Sequence, residues 1–293
     1  MFERIRRGWG IAKASWAVLK LHPKLLVLPV LSGIAFLLLI GSIAVSVFAG
    51  AHSQRLLQFF KFLDQVNFDE PVIYALLFAF YFVASLIVIF FNAALVFCAL
   101  EAFAGRRPSL RAGLGAATRR LPQILGWALV AATVGLILNI VQSVLKDRLG
   151  FLGSLLGGLL EVAWAVVTYF VVPVLVVDGV GPIEAVKRSS AILKRTWGES
   201  VGGGGGLGII SFLLLLPAFL VIGLIAAAGR GTGADGATFF AIAAVVGLYI
   251  VALSVVFAAL GTIFRTGAYI YATTGQAPSA MDPALLQGAF RKK

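Results

Sequence analysis

Long runs of apolar residues, separated by short polar gaps, dominate the pattern of hydrophobic and polar positions along the chain. Each run reaches or exceeds the roughly 20 residues that an α-helix needs to cross a hydrocarbon core of about 30 Å. The pattern therefore predicts an all-α, polytopic integral membrane protein with six transmembrane helices. The predicted spans are residues 25–48, 72–100, 123–145, 152–177, 207–228 and 238–264.

The composition excludes an ordinary soluble domain. The 293-residue chain is 60% hydrophobic and 12% charged, with a mean hydropathy of +1.01, whereas soluble proteins carry about 25% charged residues. A net charge of +12 would suggest nucleic acid as the partner of a soluble protein, but a chain this apolar does not stay soluble. We therefore expect membrane lipids and no nucleic acid as partners, while a protein partner or a homo-oligomer stays open.

The basic residues alternate between the two sides of the predicted membrane. Nineteen of the 24 Lys and Arg residues fall in the first, third, fifth and seventh gaps between the spans. Cytoplasmic loops carry an excess of Lys and Arg, and this bias sets the orientation of a membrane protein. With six spans, both termini are predicted to lie in the cytoplasm.

A Gly-x-x-Pro pattern recurs after the second, fourth and sixth spans, at Gly105–Pro108, Gly179–Pro182 and Gly275–Pro278. Glycine closes the last turn of a helix in the left-handed conformation, and a following proline prevents continuation. A segment with apolar residues at helical spacing follows each pattern, and the N-terminus shows the same stripe, which is typical of an amphipathic helix in the membrane interface. Ordinary loops between membrane helices also contain Gly and Pro, so this alternative stays open.

These elements predict one membrane domain, 1–293, in which a cytoplasmic interfacial amphipathic helix precedes each of three transmembrane hairpins. The pseudo-repeats are 1–105, 106–179 and 180–275, followed by a short cytoplasmic tail, 276–293. Basic groups near an anionic leaflet each contribute about 1 kcal/mol of attraction, although the orientation rule alone also explains their positions. The predicted contacts to lipid headgroups or a partner are Arg6, Arg7, Lys13, Arg106, Arg107, Arg119, Arg120, Lys187, Arg188, Lys194 and Arg195.

Several stretches carry a resemblance to a known family. They are 170–179 (FVVPVLVVDG), 182–189 (PIEAVKRS) and 197–199 (WGE), with FERI at 2–5 and YIYATTG at 269–275. In these stretches the chain resembles an uncharacterised prokaryotic membrane family, domain-of-unknown-function family 6159. A looser resemblance, mainly over 173–197, runs to the membrane domain fused to some glycerophosphodiester phosphodiesterases. The resemblance implies a multi-pass protein of a prokaryotic plasma (inner) membrane and carries no established activity.

One acidic residue, Glu161, lies well inside a predicted span. An ionisable group at that depth normally faces protein or water. The short connection between the third and fourth spans predicts antiparallel neighbours, which would bring Asn139 and Gln142 to a similar depth, and Thr168 shares the face of Glu161. The cluster is either linked to a proton or substrate, or it forms interhelical hydrogen bonds that fix packing. Gly153 and Gly157 make a small-residue seam that predicts close approach of a second helix.

No arrangement of residues predicts a catalytic, cofactor or metal site. His22 and His52 fall on opposite sides of the predicted membrane, and no cysteine cluster is present. The five glycines at 202–206 lack the strand–turn–helix context of a dinucleotide site. We interpret them as a flexible joint between an interfacial helix and the fifth span, because glycine permits a sharp change of direction.

The sequence therefore favours a non-enzymatic membrane protein whose basic cytoplasmic layer binds anionic lipid headgroups or a partner. The alternative is a transporter or permease subunit that uses the polar cluster around Glu161. Bends expected at Pro173 in the fourth span and Pro217 in the fifth support the alternative, whereas the absence of an inverted pair of broken helices disfavours it. A membrane-embedded lipid enzyme would need a nucleophile or paired acids near a basic patch, and the sequence provides neither.

Overall fold

A computed structural model describes residues 15–48, 71–228 and 236–274. Within these ranges the regular secondary structure is helical, with no strand. Residues 15–21 form helix α1, and a short 3-10 helix follows at Pro23–Leu26. The longer helices are α2 (Val27–Phe48), α3 (Pro71–Phe103), α4 (Leu110–Arg119), α5 (Leu121–Leu149), α6 (Phe151–Val167), α7 (Val171–Asp178), α8 (Pro182–Ala228) and α9 (Gly236–Thr274).

The described helices include five candidate membrane spans, judged by length and apolar composition. A shorter apolar segment, Leu207–Gly223, lies within the fifth predicted span. The prediction of an all-α protein with several helices that can cross a membrane is therefore confirmed. The five spans are Pro23–Ser42, Tyr74–Phe103, Leu121–Leu149, Phe151–Asp178 and Ala241–Thr274.

Two of the three predicted helix stops are confirmed. Gly105, after α3, has a φ angle of 73°, and Gly179, after α7, has a φ angle of 65°. Both values lie in the left-handed region, where glycine carries no Cβ penalty. At the first stop the Arg106 N–H donates to the Glu101 carbonyl at 3.0 Å, which closes the end of α3 as in a Schellman motif. The third predicted stop, Gly275–Pro278, lies outside the described residues, as does the tail.

The predicted joint at 202–206 is wrong. Helix α8 continues from Pro182 to Ala228 through all five glycines. Its 47 residues correspond to about 70 Å, far more than one crossing requires. Helical hydrogen bonds join backbone groups, so a run of glycines can make them. The apolar segment that follows the run also favours a helix, because a membrane strongly favours a backbone whose N–H and C=O groups are all paired. The basic segment at 187–195 is therefore an extension of the same helix that contains the fifth apolar segment.

The described residues divide into two compact units. The first contains 15–29, 95–113, 191–228 and 236–274. In this unit, α9 contacts the 3-10 turn at Pro23–Leu26, and Ile263 and Phe264 are buried. The Tyr249 hydroxyl donates to the Leu214 carbonyl at 2.6 Å, one turn before Pro217, and so joins α9 to α8.

The second unit contains 30–48, 71–94 and 114–190, and the most extensive contact between its described helices is that of α5 with α6. A single residue, Gly150, with a φ angle of 55°, joins these helices. Gly153 and Gly157 are buried on α6, and a Cβ at Gly153 would overlap the backbone of Leu145. The predicted antiparallel neighbours and their glycine seam are confirmed.

Candidate functional site

The fourth span is interrupted near the end at which the charged Asp178 lies. Helix α6 ends at Val167 and α7 begins at Val171. Pro173 explains the interruption, because its ring lacks an N–H and clashes with the carbonyl four residues earlier, that of Tyr169. The Val171 N–H donates instead to the Thr168 carbonyl at 3.0 Å, a tighter turn. The interruption removes the Phe170 N–H from the regular helical pattern.

Ser189 of α8 satisfies the backbone groups that the interruption releases. The Phe170 N–H donates to the Ser189 hydroxyl at 3.1 Å, and that hydroxyl donates to the Val167 carbonyl at 2.7 Å. Ser189 is fully buried, and so is Phe170. One side chain from the segment after the Gly179 stop therefore holds the interrupted span in its observed conformation.

Replacement of Ser189 by alanine should lower the free energy of unfolding by about 1–3 kcal/mol, because it removes both hydrogen bonds that this buried hydroxyl makes to the backbone of the interruption. Thermal unfolding of the purified protein in detergent measures the change. Ser190→Ala is the matched control, since the Ser190 hydroxyl donates to the Lys187 carbonyl of its own helix turn. Equal melting temperatures for the two variants would show that Ser189 does not support the interruption.

The Gly179 stop is surrounded by charged and polar side chains of the second unit. Arg188 donates to Asp178 at 2.8 Å and to Glu184 at 3.0 Å. These hydrogen bonds, the one to Asp178 first, raise the pKa of the Arg188 guanidinium above its ordinary value. Arg188, a predicted lipid contact, therefore stabilises the turn that joins α7 to α8.

Two residues from the start of α5 also contact this turn. The Gln123 side-chain amide donates to the Gly179 carbonyl at 3.3 Å. The Arg120 guanidinium lies directly against Gly179, where a Cβ would collide with it. Position 179 thus requires glycine for two reasons, the left-handed backbone conformation and the close approach of Arg120. Arg120, another predicted lipid contact, is partly covered by this packing.

Two arginines follow the Gly105 stop, and one of them forms an ion pair. Arg106 makes two hydrogen bonds to Glu101, each 2.7 Å long. The bond to Glu101 raises the pKa of Arg106, so this guanidinium stays charged and paired. Arg107, its neighbour, has no acidic partner among the described residues. Two adjacent arginines with the same predicted role therefore differ in whether their charge is available to bind a lipid headgroup or a partner.

A set of exposed basic side chains has no acidic partner in the described part of the chain. Lys20 lies over the Trp16 ring, with its Nζ 5.8 Å from the ring centre, which suits a tryptophan at a membrane interface. Arg6, Arg7 and Lys13 lie outside the described residues, and nothing is described of the Arg195 side chain. Apart from Lys146 and Arg148 in the last turn of α5, the exposed and unpaired set is Lys20, Lys24, Arg107, Arg111, Arg119, Lys187 and Lys194.

Hydrogen bonds do not join the predicted polar cluster around Glu161 within the described residues. The Gln142 amide donates to the Gly157 carbonyl at 3.3 Å, and the Thr168 hydroxyl donates to the Trp164 carbonyl of its own helix at 2.7 Å. Asn139 and Glu161 are both exposed. Because Gln142 faces Gly157, one turn further along each helix places Asn139 and Glu161 near the same level.

The structure also places together residues that the sequence did not single out as a group. His22, Lys24 and Arg107 line a cavity of about 370 Å³ in the first unit, with Leu21, Pro23, Leu25, Pro108 and Leu110 as its other walls. The signal in the sequence was weak, since a histidine and a lysine at the start of a span are common. Across the described ranges, no group of three His, Cys, Asp or Glu side chains is placed to hold a metal ion.

These features define an all-helical protein with several helices able to span a membrane and with basic residues beside the helix stops. The sequence model of a family of unknown function, DUF6159, matches residues 71–279. The match covers more than half of the chain, so the chain belongs to this family, as its resemblance predicted. The looser resemblance to the phosphodiesterase membrane domain is not shown. No curated protein and no solved structure matches the chain.

Proposed function

We propose that this protein is a non-enzymatic membrane protein whose basic cytoplasmic residues bind anionic lipid headgroups. The proposal includes six spans arranged as three hairpins in a prokaryotic plasma membrane, with both termini in the cytoplasm. The shorter apolar segment Leu207–Gly223 serves as the fifth span, since α8 continues to Ala228 and so provides enough helix to cross. In this topology the described basic residues beside both glycine stops face the same leaflet.

The observation that carries the proposal is the division of these basic residues into paired and unpaired groups. Arg106 and Arg188 bind acidic side chains of the protein itself. Apart from Lys146 and Arg148 at the end of α5, seven others are exposed without an acidic partner in the described ranges, and three of them are Arg111, Arg119 and Lys187. The orientation of a protein in the membrane requires positive charge on the cytoplasmic side, but it does not require those residues to lack acidic partners. Binding of an anionic headgroup does require a cation that has no acidic partner.

Burial on α4 supports the same proposal. Gly113, Ala116 and Ala117 are buried, while Arg111, Thr118 and Arg119 are exposed. A short helix with one buried apolar face and one basic face fits the plane of a membrane interface. The test is the binding of an anionic lipid by the wild type and by a variant in which Arg111, Arg119, Lys187 and Lys194 are glutamine.

The second candidate, a transporter or permease subunit, is favoured by the interrupted fourth span. Interrupted helices line substrate sites in many transporters, where the backbone groups they release bind ions or substrate. In this protein Ser189 already occupies the Phe170 N–H and the Val167 carbonyl. For these groups to serve a substrate, the Ser189 hydroxyl must first be displaced, so we rank this candidate second.

Cysteine accessibility at Glu161 distinguishes the two candidates. The variant Glu161→Cys in a Cys98→Ala background carries a single cysteine, because Cys98 is the only one in the chain. If Glu161 faces lipid, a membrane-impermeant thiol reagent should react more than about tenfold slower than with the exposed control Lys187→Cys, because a thiol in hydrocarbon does not ionise. Comparable rates would favour a water-filled pathway and the transporter candidate.

A further inference from the structure

We propose that the cavity lined by His22, Lys24 and Arg107 binds the phosphate group of one anionic phospholipid. The inference rests on the proposed function, which places the basic residues against the cytoplasmic leaflet. It goes further by assigning one lipid molecule to one defined site, in place of a general attraction between a charged surface and a membrane.

The charges of the cavity suit a phosphate. Lys24 and Arg107 are both exposed cations without an acidic partner among the described residues. Arg106 suits this role less well, because its Nε and Nη2 both donate to the Glu101 carboxylate, which also neutralises its charge. Guanidinium and ammonium groups are the side chains that bind phosphate best, and the half-buried His22 can add a further hydrogen bond.

The walls of the cavity are rigid enough to hold a shape without a ligand. Pro23 and Pro108 fix their own φ angles. The backbone on either side is also held, because the Leu25 N–H donates to the His22 carbonyl at 3.0 Å and the His22 N–H donates to the Val18 carbonyl at 3.0 Å. The volume, about 370 Å³, is within the usual range for small-molecule sites of about 300–1,000 Å³.

The surroundings indicate a lipid and not a free phosphate. The cavity lies where the candidate span Pro23–Ser42 begins and just beyond the end of the span Tyr74–Phe103, which is the depth of the headgroups. Its walls include Leu21, which is 72% exposed, together with Leu25 and Leu110. Exposed leucine beside two cations provides apolar contact for the glycerol and the first methylenes of an acyl chain, which a soluble phosphate lacks.

The test counts the phosphatidylglycerol molecules that the purified full-length protein retains in about 0.5 M salt, where loosely attracted lipids are screened. Native mass spectrometry should find one tightly held lipid per wild-type chain. The double variant Lys24→Gln with Arg107→Gln should lower the affinity for that lipid by about 100-fold, about tenfold for each charge-assisted hydrogen bond lost. The matched control is Lys146→Gln with Arg148→Gln, which likewise removes one lysine and one arginine, neither of which lines the cavity, and should keep the lipid.

A second variant separates the shape of the cavity from its charge. Leu110→Trp fills the cavity but leaves Lys24 and Arg107 intact, and it too should lose the lipid. If Leu110→Trp binds the lipid as the wild type does, or if the two double variants weaken binding equally, the cavity is not the site and the pocket proposal is overturned.

If glycerol 3-phosphate binds as tightly as the lipid, the assignment to a lipid is wrong. If the wild type holds anionic lipid at low salt but none in 0.5 M salt, the pocket proposal fails while the proposed function stands. Absence of anionic-lipid binding at any salt concentration would refute both.

Discussion

Replacement of Gly153 by alanine is expected to destabilise the α5–α6 hairpin more than any other glycine-to-alanine substitution in the described second unit. A Cβ at this position would overlap the carbonyl group of Leu145 and the following amide nitrogen. These are backbone atoms, so no side-chain rotation can relieve the overlap and the helices must move apart. Overpacking of this kind costs about 1–3 kcal/mol, and more when the backbone cannot move.

The same helix provides graded controls for this prediction. A Cβ at Gly157 would lie 2.6 Å from Cγ of Gln142, a flexible side chain that can move, so Gly157→Ala should cost less. Beyond its own helix turn, nothing in the described part of the chain lies within 4 Å of a Cβ at Gly158. Gly158→Ala should therefore be neutral or slightly stabilising, because alanine favours a helix over glycine by about 0.5–1 kcal/mol. Melting temperatures in detergent should therefore fall most for Gly153→Ala. Any other order would contradict the close packing of α5 against α6.

Neutralising the unpaired basic residues should have the largest effect on lipid binding. At about 1 kcal/mol for each basic group, the four substitutions Arg111→Gln, Arg119→Gln, Lys187→Gln and Lys194→Gln should weaken the binding of phosphatidylglycerol at low salt by about 4 kcal/mol, or about a thousandfold. A titration with phosphatidylglycerol at low salt, with the bound lipids counted by native mass spectrometry at each concentration, measures the change in affinity.

A control for this variant lies at the C-terminal end of α5, on the predicted external side. Lys146 and Arg148, in the last turn of α5, are exposed and flank Asp147. Their replacement by glutamine removes basic charge from the predicted external side, where the intervening acid already reduces the attraction to anionic lipid. The loss per charge removed should therefore be smaller. Equal losses per charge on the two sides would show that the cytoplasmic residues are not specialised for lipid.

Local patterns in the sequence predicted much of the fold correctly. Apolar length predicted helices able to cross a membrane, and Gly105 and Gly179 predicted two stops, because a left-handed residue followed by proline ends a helix regardless of its surroundings. The single-residue turn at Gly150 and the seam of Gly153 and Gly157 depend only on residues close in sequence. Such short-range features can be predicted from a single sequence.

The features that the sequence did not predict depend on contacts between distant residues or on competing local preferences. The run at 202–206 is flexible in isolation, yet the helix continues through it because backbone pairing is favoured. Pro173 suggested a bend, but the support of Ser189 could not be read from spacing. The difference between Arg106 and Arg107 follows from Glu101, five residues earlier, and a search for acidic partners near each arginine would have found it.

The central claim is that the unpaired basic residues select anionic lipid, and the relative affinity for two lipids tests it most directly. Brominated phosphatidylglycerol and brominated phosphatidylcholine quench tryptophan fluorescence when they contact the protein. In a variant whose other four tryptophans are replaced by phenylalanine, Trp16, 41% exposed beside Lys20, is the reporter. The expected preference for phosphatidylglycerol is about fivefold or more at low salt, decreasing towards equality in about 1 M salt, where charges are screened within about 3 Å. Equal affinity for both lipids at low salt would contradict the proposed function.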